Sequence, residues 1–280
     1  MKQTKFNKYH TQVNDILLNT DLRQNLDEGI ADRLENYCKT LRHNQFVTVL
    51  NVKDYNFTFQ CGVQKALGFD ESEFTAKNLI GHGSSLSING SSSIIHPDDI
   101  AFYLHYGMLL YKLINKIIPQ MHFSIDHAWF RFRLYSKTGE LYVAEYTTFL
   151  HEATETGQML SHVDIWTIHR PLTQDDFMPD FGFFTLQKFE EHKKYFFELN
   201  EEQLGIKFSP RQIAIVRKLA LGLSRKETAA ALGIGEGSIN THVNNMKAKV
   251  NNFRAQFASE KPISNVTELL RFARLYKLLR

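Results

Sequence analysis

From Phe46 onward the chain alternates apolar and polar positions: Phe46, Thr48 and Leu50, then Phe57 and Phe59 after a polar turn at Lys53, Asp54, Tyr55 and Asn56. Period two places successive side chains on opposite faces of a pleated strand, so this stretch predicts a hairpin. Upstream, residues 1–45 are polar with Leu26, Ile30, Leu34 and Leu41 at helical spacing, which predicts one or two helices ending near His43 and Asn44. A short helix is expected from Gly62 to Leu67, ending near Gly68, and a Gly- and Ser-rich loop from Gly81 to Ser93. His96-Pro97-Asp98-Asp99 then opens a longer helix, because Pro fits the first turn and the acids suit the positive end of the helix dipole. Ile100, Leu104, Met108, Leu109, Tyr111 and Leu113 mark its apolar positions, and Pro119 ends it. Three strands are expected near 128–135, 141–151 and 159–168, joined by turns at Lys137-Thr138-Gly139-Glu140 and Glu155-Thr156-Gly157.

Residues 170–206 read as a join, with Pro171, Pro179 and Asp175-Asp176 as linker and 184–204 as a connecting helix carrying Phe189, Tyr195, Phe196 and Leu199. Beyond it the punctuation changes. Ser209-Pro210-Arg211-Gln212 fits a capping box with Pro at the first helical position, followed by Ile213, Val216, Leu219 and Ala220, and Gly222 stops that helix. Ser224-Arg225-Lys226-Glu227 is a second capping box opening a short helix that Gly233 ends. A third helix begins near Gly235, with Ile239, Val243, Met246 and Val250 on one side and a polar, acid-free face on the other. Two helices joined by a short glycine turn, the second offering amides, hydroxyls and lysines, suit a recognition helix in the major groove of double-stranded DNA.

Chain length of 280 residues favours two domains. Net charge is only +3, yet its placement is uneven: residues 207–280 hold 14 Lys and Arg against 4 Asp and Glu, leaving 19 against 26 for the rest. That asymmetry assigns a polyanion partner to the C-terminal part alone. No apolar run is long enough for a membrane span and residues 1–10 lack the core of a signal peptide, so a cytoplasmic location is expected. Cys38 and Cys61 form no CxxC or zinc-site spacing and are expected to be buried free thiols. Neither GxxxxGK followed by Ser or Thr nor GxSxG occurs, no metal spacing is evident, and no enzymatic activity is predicted.

Three pieces, FTFQCGVQKALG at 57–68, IHPDDI at 95–100 and KTGE at 137–140, resemble a PAS domain, the five-stranded sensory module with a helical face. The run FSPRQIAIVRKLALGLSRKETAAALGIGEGSINTHVNNMKAKV resembles the LuxR-type helix-turn-helix along its whole length, and NVTELLRFARLYKLL resembles that family's fourth helix, which in relatives forms the dimer contact. The expected fold class is α+β: a helical segment at 1–45, a PAS-like five-stranded antiparallel sheet domain at 46–169, a linker and connecting helix at 170–206, and an all-α four-helix helix-turn-helix domain at 207–280.

The resemblance and the side-chain chemistry together imply a sequence-specific transcription regulator, a homodimer, whose sensory domain answers to an unidentified small molecule or a partner; no cofactor is predicted. Asn240, Thr241 and Asn244 are the base-reading candidates, since amides pair with adenine edges and Thr touches the thymine methyl. Arg225, Lys226, Ser238, Lys247 and Lys249 are the phosphate-contacting candidates. The alternative function is a protein-interaction module whose helix-turn-helix contacts RNA polymerase or another regulator. Three departures from the family stand out: Gly235 and Gly237 replace a Ser cap and a non-Gly residue, Asn240 and Asn244 stand where many relatives carry Lys or Ser, and the connection at 252–264 is longer than usual. His105 and Cys61 are read as structural, not as haem or flavin sites.

Overall fold

The computed structural model describes residues 34–81, 92–117, 126–154, 158–172, 177–255 and 262–279. Leu26, Ile30, Pro119, the Glu155-Thr156-Gly157 turn, Asp175-Asp176 and most of the Gly- and Ser-rich loop lie outside them. The chain divides into two compact units between Lys193 and Lys194.

The first unit is built on one antiparallel sheet. The predicted hairpin is β1 (Gln45–Asn51) and β2 (Asn56–Cys61), and the three later strands are β3 (His127–Tyr135), β4 (Leu141–Ala153) and β5 (Met159–Pro171). A further strand, β6 (Asp180–Phe184), gives the order β2-β1-β5-β4-β3-β6. The sheet therefore has six strands where five were expected, and the sixth falls within the stretch read as a join. β6 pairs with β3 from His127↔Phe184 to Arg131↔Asp180. Its place is fixed by packing across a long sequence separation: Phe181 stacks on Tyr106 at 4.6 Å and meets Phe130 edge-on at 4.8 Å, while the bare Gly182 leaves room for the Trp129 ring.

Between β2 and β3 come α1 (Val63–Leu67), α2 (Ala76–Leu79) and the long α3 (Pro97–Ile117). Gly62 and Gly68, at the two ends of α1, both take left-handed conformations. Asp99, expected only to serve the helix dipole, is 1% exposed and receives three bonds from the buried Arg133 of β3: the backbone N–H at 2.8 Å, Nε at 3.1 Å and Nη2 at 2.7 Å. That bidentate pair ties the start of α3 to the sheet. Along α3 the fully buried residues include Phe102, Tyr106, Leu109 and Leu113, whereas Ile100 and Leu104 are half-buried. His105 is buried edge-on to Tyr106 at 4.9 Å, as a packing residue. On the sheet the core centres on Trp166, which stacks on Phe46 at 5.1 Å and donates Nε1–H to Thr48 at 3.0 Å.

Helix α4 (Phe189–Leu204) carries the chain across the unit boundary. The second unit contains α5 (Pro210–Ala220), α6 (Arg225–Leu232), α7 (Glu236–Arg254) and α8 (Val266–Leu275) around a core of Ile215, Val216, Leu219, Ile239, Val243, Met246, Val250, Leu269 and Phe272, among others. Phe253, Phe272 and Tyr276 close it with ring centroids 4.5 to 5.8 Å apart. Among the described residues no helix is long and apolar enough to cross a membrane, and no cluster of three or more His, Cys, Asp or Glu could hold a metal.

Candidate nucleic-acid interface

Local signals set the three helices of the candidate interface. Both predicted capping boxes are present: the Ser209 hydroxyl accepts from Gln212 N–H at 3.2 Å and the Gln212 carboxamide accepts from Ser209 N–H at 3.0 Å, while Ser224 and Glu227 exchange the same pair of bonds at 3.2 and 2.8 Å. Gly233 ends α6 in a left-handed conformation at φ 64°. These contacts hold the Glu227 carboxyl below its ordinary range, chiefly through the Ser224 hydroxyl.

α7 starts differently. Its N-cap, Gly235, offers no side-chain acceptor, and a Cβ at Gly235 or Gly237 would meet open space. Ile239, Val243, Met246, Val250 and Phe253 form its buried stripe. Away from that stripe Ser238, Thr241, Asn244 and Asn245 are exposed and Asn240 is half-buried. Asn245 is not among the candidates drawn from the sequence, where its one signal is that it lies off the apolar spacing. The exposed face is acid-free only after the first residue, because Glu236 stands at the helix start.

Several polar candidates have internal partners. Arg225 Nη1, at the start of α6, donates to the Asn240 Oδ1 at 2.7 Å, bringing one phosphate candidate and one base-reading candidate together. Thr241 Oγ1 donates to the Gly237 carbonyl one turn back at 3.1 Å. Lys247 Nζ reaches the Ser264 carbonyl at 3.1 Å, and Lys249 Nζ reaches the Lys207 carbonyl at 2.7 Å and the Gln212 carboxamide at 3.3 Å. Lys249 thus ties α7 to the segment leading into α5. Lys226 and Ser238 are exposed, and Asn244 has no side-chain hydrogen-bond partner among the described residues.

The connection after α7 is anchored at both ends. Asn251 receives Ile263 N–H at 2.7 Å and donates to the Ile263 carbonyl at 3.2 Å; residues 256–261 lie outside the described set. α8 then starts on Asn265, whose carboxamide accepts from Glu268 N–H at 2.9 Å, and Glu268 in turn accepts from Ser264 N–H at 2.7 Å. The Ser264 N–H is the main cause that lowers the Glu268 carboxyl below its ordinary range.

No curated protein matches the chain in sequence. Solved structures aligned with it include a phage VqmA in complex with DPO, at 13% identity over 90% of both chains with a TM-score of 0.31. SdiA in complex with octanoyl-rac-glycerol aligns at 16% identity over 100% of this chain and 98% of the other, with a TM-score of 0.27. Escherichia coli SdiA aligns at 14% over 97% and 99%, with a TM-score of 0.26. Residues 207–253 match the family profile for bacterial regulatory proteins of the luxR family, so the second unit carries a LuxR-type helix-turn-helix.

Proposed function

We propose that this chain is a sequence-specific DNA-binding transcription regulator in which α7 enters the major groove. The observation that carries the reading is the division of α7 into a fully buried apolar stripe and an exposed face of amides and hydroxyls, within a segment whose formal charge is +10 by the counts above. Asn240, Thr241 and Asn244 read base edges. Arg225, Lys226, Ser238, Lys247 and Lys249 contact phosphates. Arg225, Lys247 and Lys249 exchange an internal acceptor for a phosphate oxygen when they do so. A homodimer pairs two such heads on adjacent half-sites.

The first unit is proposed as a PAS-like input domain. Support comes from the sequence of elements: a hairpin, two short helices, a long helix and three antiparallel strands, with β6 added at the edge. Between α3 and the sheet lies a cavity of about 40 Å³, lined by Tyr55, Tyr103, Tyr146, Met159, Thr148 and His162 among others. Its polar end is His162, bonded to Asp164 at 2.8 Å and to Thr148 at 3.0 Å. A volume of this size accepts a water or two. Pockets that hold a drug-sized ligand run to some 300 Å³ or more, so such a ligand enters with repacking of those side chains.

Selection from random duplexes at moderate salt tests the main reading. Enrichment of a defined motif that full-length protein binds with a steep salt dependence is the expected result. Failure to enrich any sequence overturns it.

A further inference from the structure

Cys38 and Cys61 are far apart in sequence and share no motif, yet the fold brings them side by side. Cys38 closes the helical turn at 34–38, and Cys61 is the last residue of β2, opposite Val47 in the hairpin. The chain between Cys38 and β1 folds back tightly: Leu41 N–H donates to the Cys38 carbonyl at 3.3 Å and Gln45 N–H to the Arg42 carbonyl at 3.0 Å. Immediately after Cys61, Gly62 takes φ 91°, and a Cβ there would meet the Gln45 carbonyl at 3.0 Å and the Leu41 side chain at 3.4 Å. The segment carrying Cys38 therefore lies directly against the segment carrying Cys61. The two thiols are neighbours that act on each other electrostatically, and both residues are half-buried rather than sealed in a core.

We propose that Cys38 and Cys61 form a reversible disulfide, a modification site that reacts with hydroperoxides or low-molecular-weight disulfides. The proposal concerns the first unit alone and stands apart from the DNA-binding reading. Burial first, then the bond to the Cys61 sulfur and the nearby Cys61 and Glu35 charges, push the Cys38 thiol up to about 12. The reaction starts from one of the two sulfurs as a thiolate, because the thiolate is the nucleophile. With a hydroperoxide, that thiolate attacks the terminal oxygen and the O–O bond breaks. The attacking cysteine becomes a sulfenic acid, and the alkoxide takes up the proton that cysteine had lost and leaves as an alcohol, or as water where the oxidant is hydrogen peroxide. The other sulfur then attacks the sulfenic sulfur as it gives up its proton; the S–S bond forms, the S–O bond breaks, and the hydroxyl departs as water with that proton. Two thiols are oxidised by two electrons and the peroxide is reduced by the same two. With a low-molecular-weight disulfide the same bond forms by two exchanges, releasing two thiols, and a reducing thiol reverses it.

The bond would clamp the turn at 34–38 to the end of the hairpin, beside the left-handed glycine from which α1 starts. The test uses the reduced full-length chain exposed to hydrogen peroxide or to oxidised glutathione, followed by thiol titration and non-reducing peptide mapping. The expected result is joint loss of both thiols, one intrachain peptide pair joined through Cys38 and Cys61, and full recovery with dithiothreitol. In Cys38→Ser and in Cys61→Ser the intrachain peptide pair is expected to vanish, with oxidation of the remaining cysteine halting at a sulfenic acid that dimedone traps or at a mixed disulfide with glutathione. Oxidation of either cysteine alone to sulfinic or sulfonic acid in the wild-type chain, a glutathione adduct that never resolves, cross-links between chains, or no loss of thiols would each overturn the proposal.

Discussion

The start of α7 is under-capped, and the cost can be worked from two glycines. Gly237 occupies the first turn, has open space where a Cβ would lie and is not left-handed in φ, so alanine fits without strain. Replacing glycine at a compatible site stabilises by about 0.4–1 kcal/mol, mostly by restricting the unfolded chain. Gly235 is extended, at φ −75° and ψ 149°, the conformation a serine cap adopts, and the nearby Ser238 N–H sits 3.0 Å from the Gly235 carbonyl. A serine hydroxyl there offers the acceptor that Ser209 and Ser224 supply to α5 and α6, worth a few tenths of a kcal/mol over glycine. The double variant Gly235→Ser, Gly237→Ala is therefore expected to gain about 1 kcal/mol, less if the two adjacent changes overlap. In a unit of this size that corresponds to a rise in Tm of roughly 4–8 °C. Amide exchange on the full-length chain should slow selectively in the first turns of α7. Part of this ordering is otherwise done on binding, so affinity for a selected duplex is expected to rise up to about fivefold. Unchanged exchange would refute the claim that the helix start is under-capped. Slower exchange with weaker binding would instead place the bare backbone of Gly235 and Gly237 against the phosphates.

Asp99→Asn replaces the buried carboxylate of the pair and leaves the Arg133 guanidinium with the exposed Asp98 carboxylate 3.7 Å away, and is expected to cost about 3 kcal/mol, the low end for breaking a buried pair, in a urea titration followed by tryptophan fluorescence; a loss below about 1 kcal/mol would contradict a tightly coupled pair. Glu227 and Glu268 have lowered pKa values in the fold, so the unfolded chain takes up their protons first as pH falls. Their capping contribution is complete at neutral pH, begins to fade near the ordinary glutamate value of 4.5 and is gone below the lowered folded values, which exchange at the Ser224 and Ser264 amides should report. Lys226→Met is expected to reduce the slope of log affinity against log salt by about 1 with stability unchanged. Lys249→Met should lower stability through loss of its bond to the Lys207 carbonyl, and equal stability in the two variants would refute that distinction.

The helix-turn-helix was legible because its instructions are local. Ser209 with Gln212, Ser224 with Glu227 and the left-handed Gly233 specify helix ends within a few residues, and the stripe from Ile239 to Val250 needs only the helical repeat. The hairpin and the three long strands were legible from alternation. β6 was not, since five residues interrupted by Gly182 carry too short an alternation, and its place depends on contacts with Tyr106 and Phe130 far away in sequence. The same limit hid the Asp99–Arg133 pair and the meeting of Cys38 with Cys61, both set by how helical segments pack on the strands. At the interface the sequence identified which side chains are polar and exposed by period. It could not tell that Arg225 and Asn240 hold each other, or that Lys249 turns back on the domain.

Those internal bonds bear on how the proposed reading head works. An Arg225 side chain held by Asn240 is aimed before DNA arrives, so less rotamer entropy is lost on contact with a phosphate. Breaking the pair costs a charge-assisted hydrogen bond at an exposed site, while Asn240 gains a base-edge contact worth about 1–3 kcal/mol and Arg225 a phosphate. On a correct site both partners are re-paired and the exchange is favourable. On a wrong site Asn240 finds no adenine edge, but it can keep the Arg225 bond, and the phosphate is offered by every sequence, so neither side chain is left unpaired. Asn244 has no internal bond to fall back on, and a mismatch leaves its carboxamide with water alone. In the proposed complex, discrimination at the Asn240 position should thus be softer than at the Asn244 position, even though the two side chains are chemically identical and lie one helical turn apart.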